Sequence, residues 1–179
     1  MKTTKFLSIA IALLFGTAVF AQKEKTVMVG GAPMYPSKNI IENAINSKDH
    51  TTLVALVETL QGKGPFTVFA PTNEAFAKLP KGTVETLLKP ENKSKLQSIL
   101  TYHVVAGKMS SADIAKAIKK GNGKAVLATV QGGKLTAWMD GKTLYITDEN
   151  GNKSKVTIAD VNQSNGVIHV VDTVVMPKA

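Results

Sequence analysis

Apolar residues along this chain follow two different periods. Up to about residue 120 they recur at helical spacing. Ile40, Ile41, Ala44 and Ile45 follow Ser37, which reads as their cap, and Leu53, Leu56, Val57 and Leu60 mark a second helix over Thr51 to Leu60. Val84, Leu87 and Leu88 stand behind Thr83 as a further cap, and Leu96, Ile99 and Leu100 follow Pro90, which suits a first helical turn. Ser110 with Asp113 resembles a capping box for a helix through Ile118. From Lys124 onward the period becomes two, as in Val126, Ala128 and Val130. Strands are expected at Leu135 to Met139, Leu144 to Thr147, Val156 to Val161 and Val167 to Met176, with Asp140-Gly141 as a two-residue hairpin. Helices first and antiparallel strands second make the fold class α+β.

One segment of the helical half breaks this division. Phe66 to Ala70 is aromatic and β-branched, with Phe66, Val68 and Ala70 on one face and Thr67 and Phe69 on the other. Apolar groups on both faces predict a central strand covered on both sides. Pro71 stops it, and Thr72 is placed to cap a helix opening at Asn73, with Phe76 turned back toward the strand. Thr101 to Val105 reads as a second strand, and residues 22–36 read as an irregular lead-in, with a short edge strand at Thr26 to Val29.

The first residues change the setting. Lys2 and Lys5, the apolar run Phe6 to Phe15 and the small residues around Val19-Phe20-Ala21 form a secretory signal peptide, cut after Ala21. The run is too short to span a bilayer, so no transmembrane segment is expected after cleavage. The remaining 158 of 179 residues suit one domain, expected over residues 37–177. With no cysteine, an exported chain must be held by its core and hydrogen bonds alone. Every positive charge is a lysine; losing Lys2 and Lys5 leaves 20 lysines against 13 acids, a net charge of +7. Without arginine's planar fork, nucleic acid is a poor partner, while diffuse attraction to acidic glycans remains open.

The chemistry on offer is thin. His50, His103 and His169 lack metal-ligand spacing, so neither metal nor cofactor is expected. His50 sits in a polar lead-in and reads as exposed. His169 and Asp172 fall on opposite faces of their strand by parity and cannot form a dyad; each reads as a buried polar group bonded to backbone. A hydrolase using His103 or His169 would need a serine and an orienting acid brought in from afar, and Gly-x-Ser-x-Gly is absent.

Three ordered segments carry a resemblance. Thr67-Val68-Phe69-Ala70-Pro71-Thr72-Asn73-Glu74-Ala75-Phe76, the pair Tyr102-His103, and Asn165-Gly166-Val167-Ile168-His169-Val170-Val171-Asp172-Thr173-Val174-Val175-Met176-Pro177 together resemble the fasciclin domain family. The resemblance implies a twisted β wedge or sandwich with helices packed beside it. It also implies a secreted, non-enzymatic adhesion module whose partner is an extracellular protein or polysaccharide. Asp160-Val161 stands where animal relatives carry an aspartate–isoleucine pair tied to integrin binding, and the tyrosine–histidine pair is also connected with adhesion. Asp160, Val161, Tyr102 and His103 are therefore the candidate contact residues. Val54 to Leu60 is a turn or two shorter than the resemblance implies. A groove beside it, lined by Leu56, Val57 and Leu60, is the alternative, a site for a small molecule or glycan.

Overall fold

The computed structural model describes residues 25–50 and 64–178. The segments expected to form a signal peptide and a helix over Thr51 to Leu60 with a groove beside it lie outside these residues.

The strand read as central is central. β3 (Phe66–Pro71) lies between β4 (Val104–Ala106), antiparallel, and β9 (Gly166–Val171), parallel, in the seven-stranded order β4-β3-β9-β8-β7-β6-β5. β5 (Lys124–Ala128), β6 (Lys134–Asp140), β7 (Thr143–Thr147) and β8 (Lys153–Gln163) form an antiparallel meander. A bridge between Val105 and Thr129 brings the two edges together, with Val130 N–H donating to Val104 O at 2.7 Å, so the sheet is almost a closed barrel.

Alternation along β3 sorts the interior into two clusters. Val68 and Ala70 join Ile168 and Val170 of β9 and pack outward against Ile40, Phe76, Leu96 and Ile99 of the helical layer. Phe69 points the other way, into a barrel interior filled by Tyr102, Leu135, Ile146 and Val171. The layer comprises α1 (Ile40–Ala44), α2 (Asn73–Ala77), α3 (Thr83–Leu87) and α4 (Lys93–Tyr102). α5 (Ser111–Lys120) packs Ile114 and Ile118 into the barrel cluster. Its capping box, Ser110 with Asp113, is present as the sequence predicts, and Thr72 caps α2 by accepting from Ala75 N–H at 3.2 Å.

Several expectations are corrected. The short strand expected at Thr26 to Val29 is present as β1 (Val27–Val29), but the lead-in around it is not irregular: β1 pairs with β2 (Ala32–Met34) as a hairpin. Gly30 and Gly31 supply the two positive φ angles (58° and 74°) that such a turn needs. Val29, Ala32 and Met34 belong to the outer cluster. Asn39, not Ser37, caps α1 through a capping box with Glu42, and Gly82, not Thr83, precedes α3. Tyr102 ends α4 rather than opening a strand, because Leu96, Ile99, Leu100 and His103 continue the helical stripe and override local β preference. β5 buries Ala125 and Leu127 and leaves Val126 64% exposed, and Val130, beyond its end, is 45% exposed. The two-residue turn is Gly141-Lys142, one position later than expected, and β9 ends at Val171, not Met176.

Two substitutions test the β3–β9 seam. Val68→Asp places an unpaired carboxylate at a position 1% exposed and is expected to abolish the cooperative thermal transition. A Cβ at Gly166 would stand 2.1 Å from Phe66 O, so Gly166→Ala is expected to cost about 1–3 kcal/mol in urea unfolding. Wild-type stability in either variant contradicts the seam.

Candidate functional site

The residues singled out in the sequence lie around this seam, and most face inward. Tyr102 is fully buried; its hydroxyl donates to Lys134 O at 2.6 Å and accepts from Glu149 N–H at 3.2 Å. His103, also buried, caps α4. Its Nε2 accepts from Val175 N–H at 3.2 Å, which leaves the proton on Nδ1, bonded to Ile99 O at 2.8 Å. His169 adopts the opposite tautomer. Its Nδ1 accepts from Asp160 N–H at 3.3 Å and its Nε2 donates to Met109 O at 2.9 Å, with the ring 5.6 Å from that of Phe69. Burial pulls the His103 pKa down to about 4 and lowers that of His169.

Asp160 sits at an irregularity of β8 with φ +60°, a left-handed conformation that aspartate tolerates better than most residues. Its half-buried carboxylate accepts Ser111 N–H at 2.7 Å and the Ser111 hydroxyl, which fastens β8 to the start of α5. Val161 is 1% exposed, in the outer cluster. Asp172 accepts Lys155 N–H at 2.9 Å and the Thr173 hydroxyl, and lies 3.7 Å from Lys78 Nζ. Burial works against its charge, but these bonds and Lys78 outweigh it and hold the carboxyl below its ordinary pKa. His50, expected exposed, is buried: the turn Lys48–His50 tucks beneath Gly30, and Nδ1 meets Ser47 Oγ at 2.9 Å.

The remaining signature residues are joints. Thr67 donates to Gly107 O (2.7 Å) and accepts from Met109 N–H (2.9 Å); Asn73 donates to Lys48 O (2.7 Å); Asn165 Oδ1 accepts from Ile40 N–H (3.0 Å). Ala70, Pro71 and Phe76 are buried.

A serine, an aspartate and a histidine thus do meet, as Ser111, Asp160 and His169. Their wiring differs from a nucleophilic triad. There the serine donates to the histidine and the acid holds the other ring nitrogen; here the serine donates to the acid, and both imidazole nitrogens are bonded to backbone. Met34, Ile40, His50, Val68 and Ile168 line an apolar cleft of about 20 Å³. That admits one water, whereas small-molecule sites measure about 300–1,000 Å³. Sequence reading passed over Ser111, and also Trp138 and Tyr145, half-buried on the outer face of β6 and β7. The alternation of those strands was the signal for the aromatic pair.

Two predictions follow from these bonds. His103 must protonate on unfolding, so its contribution is full above pH 6.5 and is lost as pH falls toward about 4. That difference amounts to about 3 kcal/mol, with His50 and His169 acting in the same direction. Urea midpoints should fall through this window, and His103→Gln should flatten the profile; an unchanged slope contradicts a neutral His103. Asp160→Ala removes the acceptor for Ser111 and keeps the left-handed backbone, so thermal melts should show a loss of about 1–2 kcal/mol, less for Asp160→Asn. Equal stability of the two variants contradicts a structural Asp160.

Comparison with known proteins agrees with this architecture. The fasciclin domain model matches residues 48–177. The chain is 45% identical over 161 residues to Protein sll1483 of Synechocystis, covering 86% of this chain and 82% of that protein. It is 37% identical to the cell surface glycolipoprotein MPB83 of Mycobacterium bovis, covering 80% of this chain and 57% of that one. In fold it is similar to a FAS1 domain pair from the insect cell adhesion molecule fasciclin I, with a TM-score of 0.50 and 22% identity over 75% of this chain and 43% of that one. With its central strand, its closing segment and the match over most of its length in agreement, the chain belongs to the fasciclin domain family.

Proposed function

We propose that this chain is an exported, non-catalytic interaction domain that binds an extracellular protein or polysaccharide. The observation that carries this reading is the inward bonding of His103, His169 and Asp160. The groups best suited to acid–base chemistry are bound to backbone or to Ser111, so what remains for function is surface. The names of the relatives support the setting: one is a cell surface glycolipoprotein, another an insect cell adhesion molecule. Among the described residues no helix is long and apolar enough to cross a membrane. In this reading cleavage follows Ala21, and residues 37–177 fold as one domain to which the hairpin of β1 and β2 adds core. Tyr102, His103 and Val161 act on binding through the shape of the fold, and no cofactor takes part.

The test uses residues 22–179 in a binding screen against bacterial cells, matrix proteins and neutral and acidic polysaccharides at physiological salt. A parallel assay measures ester and glycoside hydrolysis. Saturable binding to at least one partner and no turnover are expected. Binding to none of them, or turnover that disappears in His103→Gln or His169→Gln, overturns the proposal.

A further inference from the structure

The antiparallel meander has an inner face and an outer face. Leu127, Leu135, Ala137, Leu144 and Ile146 point inward, and α5 packs Ile114 and Ile118 on that side. The opposite positions point outward and are half-buried or exposed. Register aligns these outward side chains into rows. Lys124, Trp138, Tyr145 and Lys155 stand opposite one another across four strands, and Val126, Thr136, Thr147 and Lys153 form the adjacent row.

At the centre of this face the rings of Trp138 and Tyr145 stack at 4.7 Å with 16° between their planes. The indole N–H donates to Thr147 Oγ1 at 2.9 Å, and Lys153 Nζ lies 5.4 Å from the indole centroid. The pair is therefore held in place before any partner arrives, which removes part of the ordering cost of binding. Lys124, Lys134, Lys153 and Lys155 are all exposed around it. Asp140, at one corner, is the one acid on the face, with Glu149 in the adjoining loop.

We propose that this face binds an acidic polysaccharide through a uronic acid residue. The proposal rests on the interaction-domain reading above and names its partner. A pyranose ring presents a flat face of C–H bonds that packs on the electron-rich face of an aromatic ring. Its carboxylate would draw Lys153 and Lys155 into charge-assisted bonds, stronger than the exposed cation–π contact Lys153 now makes, which is worth about 0.5–1 kcal/mol. The hydroxyls of Thr136, Thr143 and Thr147 stand among the lysines to meet sugar hydroxyls. A lipid surface fits less well, because among the described residues the exposed large apolar side chains on or beside this face are two valines, Val126 and Val130, too short to insert. Single-stranded nucleic acid fits less well too. It is read by successive stacking platforms in a basic groove, and here there is one aromatic pair and no arginine.

Trp138 is the chain's one tryptophan, so its fluorescence reports on this face alone. Residues 22–179 are titrated with alginate, with uncharged dextran, with oligothymidylate and with phosphatidylglycerol vesicles. Alginate is expected to shift the emission saturably, more weakly as salt rises, and dextran not to. Trp138→Ala should weaken alginate binding, measured by calorimetry, about tenfold or more. Lys153→Gln with Lys155→Gln should also weaken it, whereas Lys89→Gln with Lys95→Gln, the same change of charge on the helical layer, should not; thermal melts confirm that each variant folds. Alginate binding with no change in emission, or equally weakened by both lysine pairs, overturns this face as the site and leaves the interaction-domain reading standing. So does binding in the wider screen to other partners but to no acidic polysaccharide. An emission shift with oligothymidylate or vesicles and none with alginate overturns the partner class. Failure to bind anything in either experiment removes both readings.

Discussion

The parallel ladder between Phe66–Pro71 and Gly166–Val171 is the contact on which the rest of the molecule depends. It joins two segments about a hundred residues apart and is, among the described residues, the one parallel pair in a sheet otherwise antiparallel. Because it is buried on both faces, it belongs to two cores at once. Val68, Ala70, Ile168 and Val170 anchor the helical layer, and Phe69 and Val171 anchor the barrel. A fault here is therefore felt in both layers. The close approach at Phe66 and Gly166, where even a methyl group has no room, sets the register at one end. Thr72, whose N–H donates to Val171 O before its hydroxyl caps α2, sets it at the other.

The buried polar groups follow from how that ladder ends. β8 is irregular against β9 between Val156 and Val161, and His169 Nδ1 takes up the N–H of Asp160 there. Beyond Val171 the chain leaves the strand while staying inside the core, and His103 Nε2 takes up Val175 N–H in the same way. Each imidazole has one donor and one acceptor, so each can satisfy two backbone groups that the sheet leaves over, and only while neutral. This accounts for two of the three buried histidines. It also accounts for the cost of acid: protonating His103 turns an acceptor toward a backbone N–H into a second donor.

Where local pattern and tertiary environment agree, the sequence was readable. β3, its two faces, the Thr72 cap, the Ser110–Asp113 capping box and the meander were all legible, because short-range spacing and burial ask for the same residues there. It misled where two local signals competed. Tyr102 and His103 carry β-forming neighbours yet continue a helical stripe, and tertiary packing favoured the helix. Val126, Ala128 and Val130 alternate as a core face would, but the facing pairs Leu127–Leu135 and Ala125–Ala137 fix the opposite parity. Gly30-Gly31 read as looseness and is a tight turn. The contact between Asp160 and Ser111 spans 49 positions and left no local trace.

The candidate contact residues taken from the resemblance and the aromatic pair found in the structure obey different constraints. Tyr102, His103 and Val161 are buried, and the half-buried Asp160 is bonded to Ser111, so replacing one alters the fold as well as any contact. Trp138 stacks on Tyr145, donates to Thr147 and lies against Lys153, and neither ring belongs to either core cluster. Their positions on a strand's outer face can take other residues while the inner face keeps the register. The segments that identify the family are thus the ones that build the seam, and they say little about what is bound. On the outer wall of the barrel a side chain can change without disturbing what holds the wall up, so a binding surface placed there, as proposed, is free to vary.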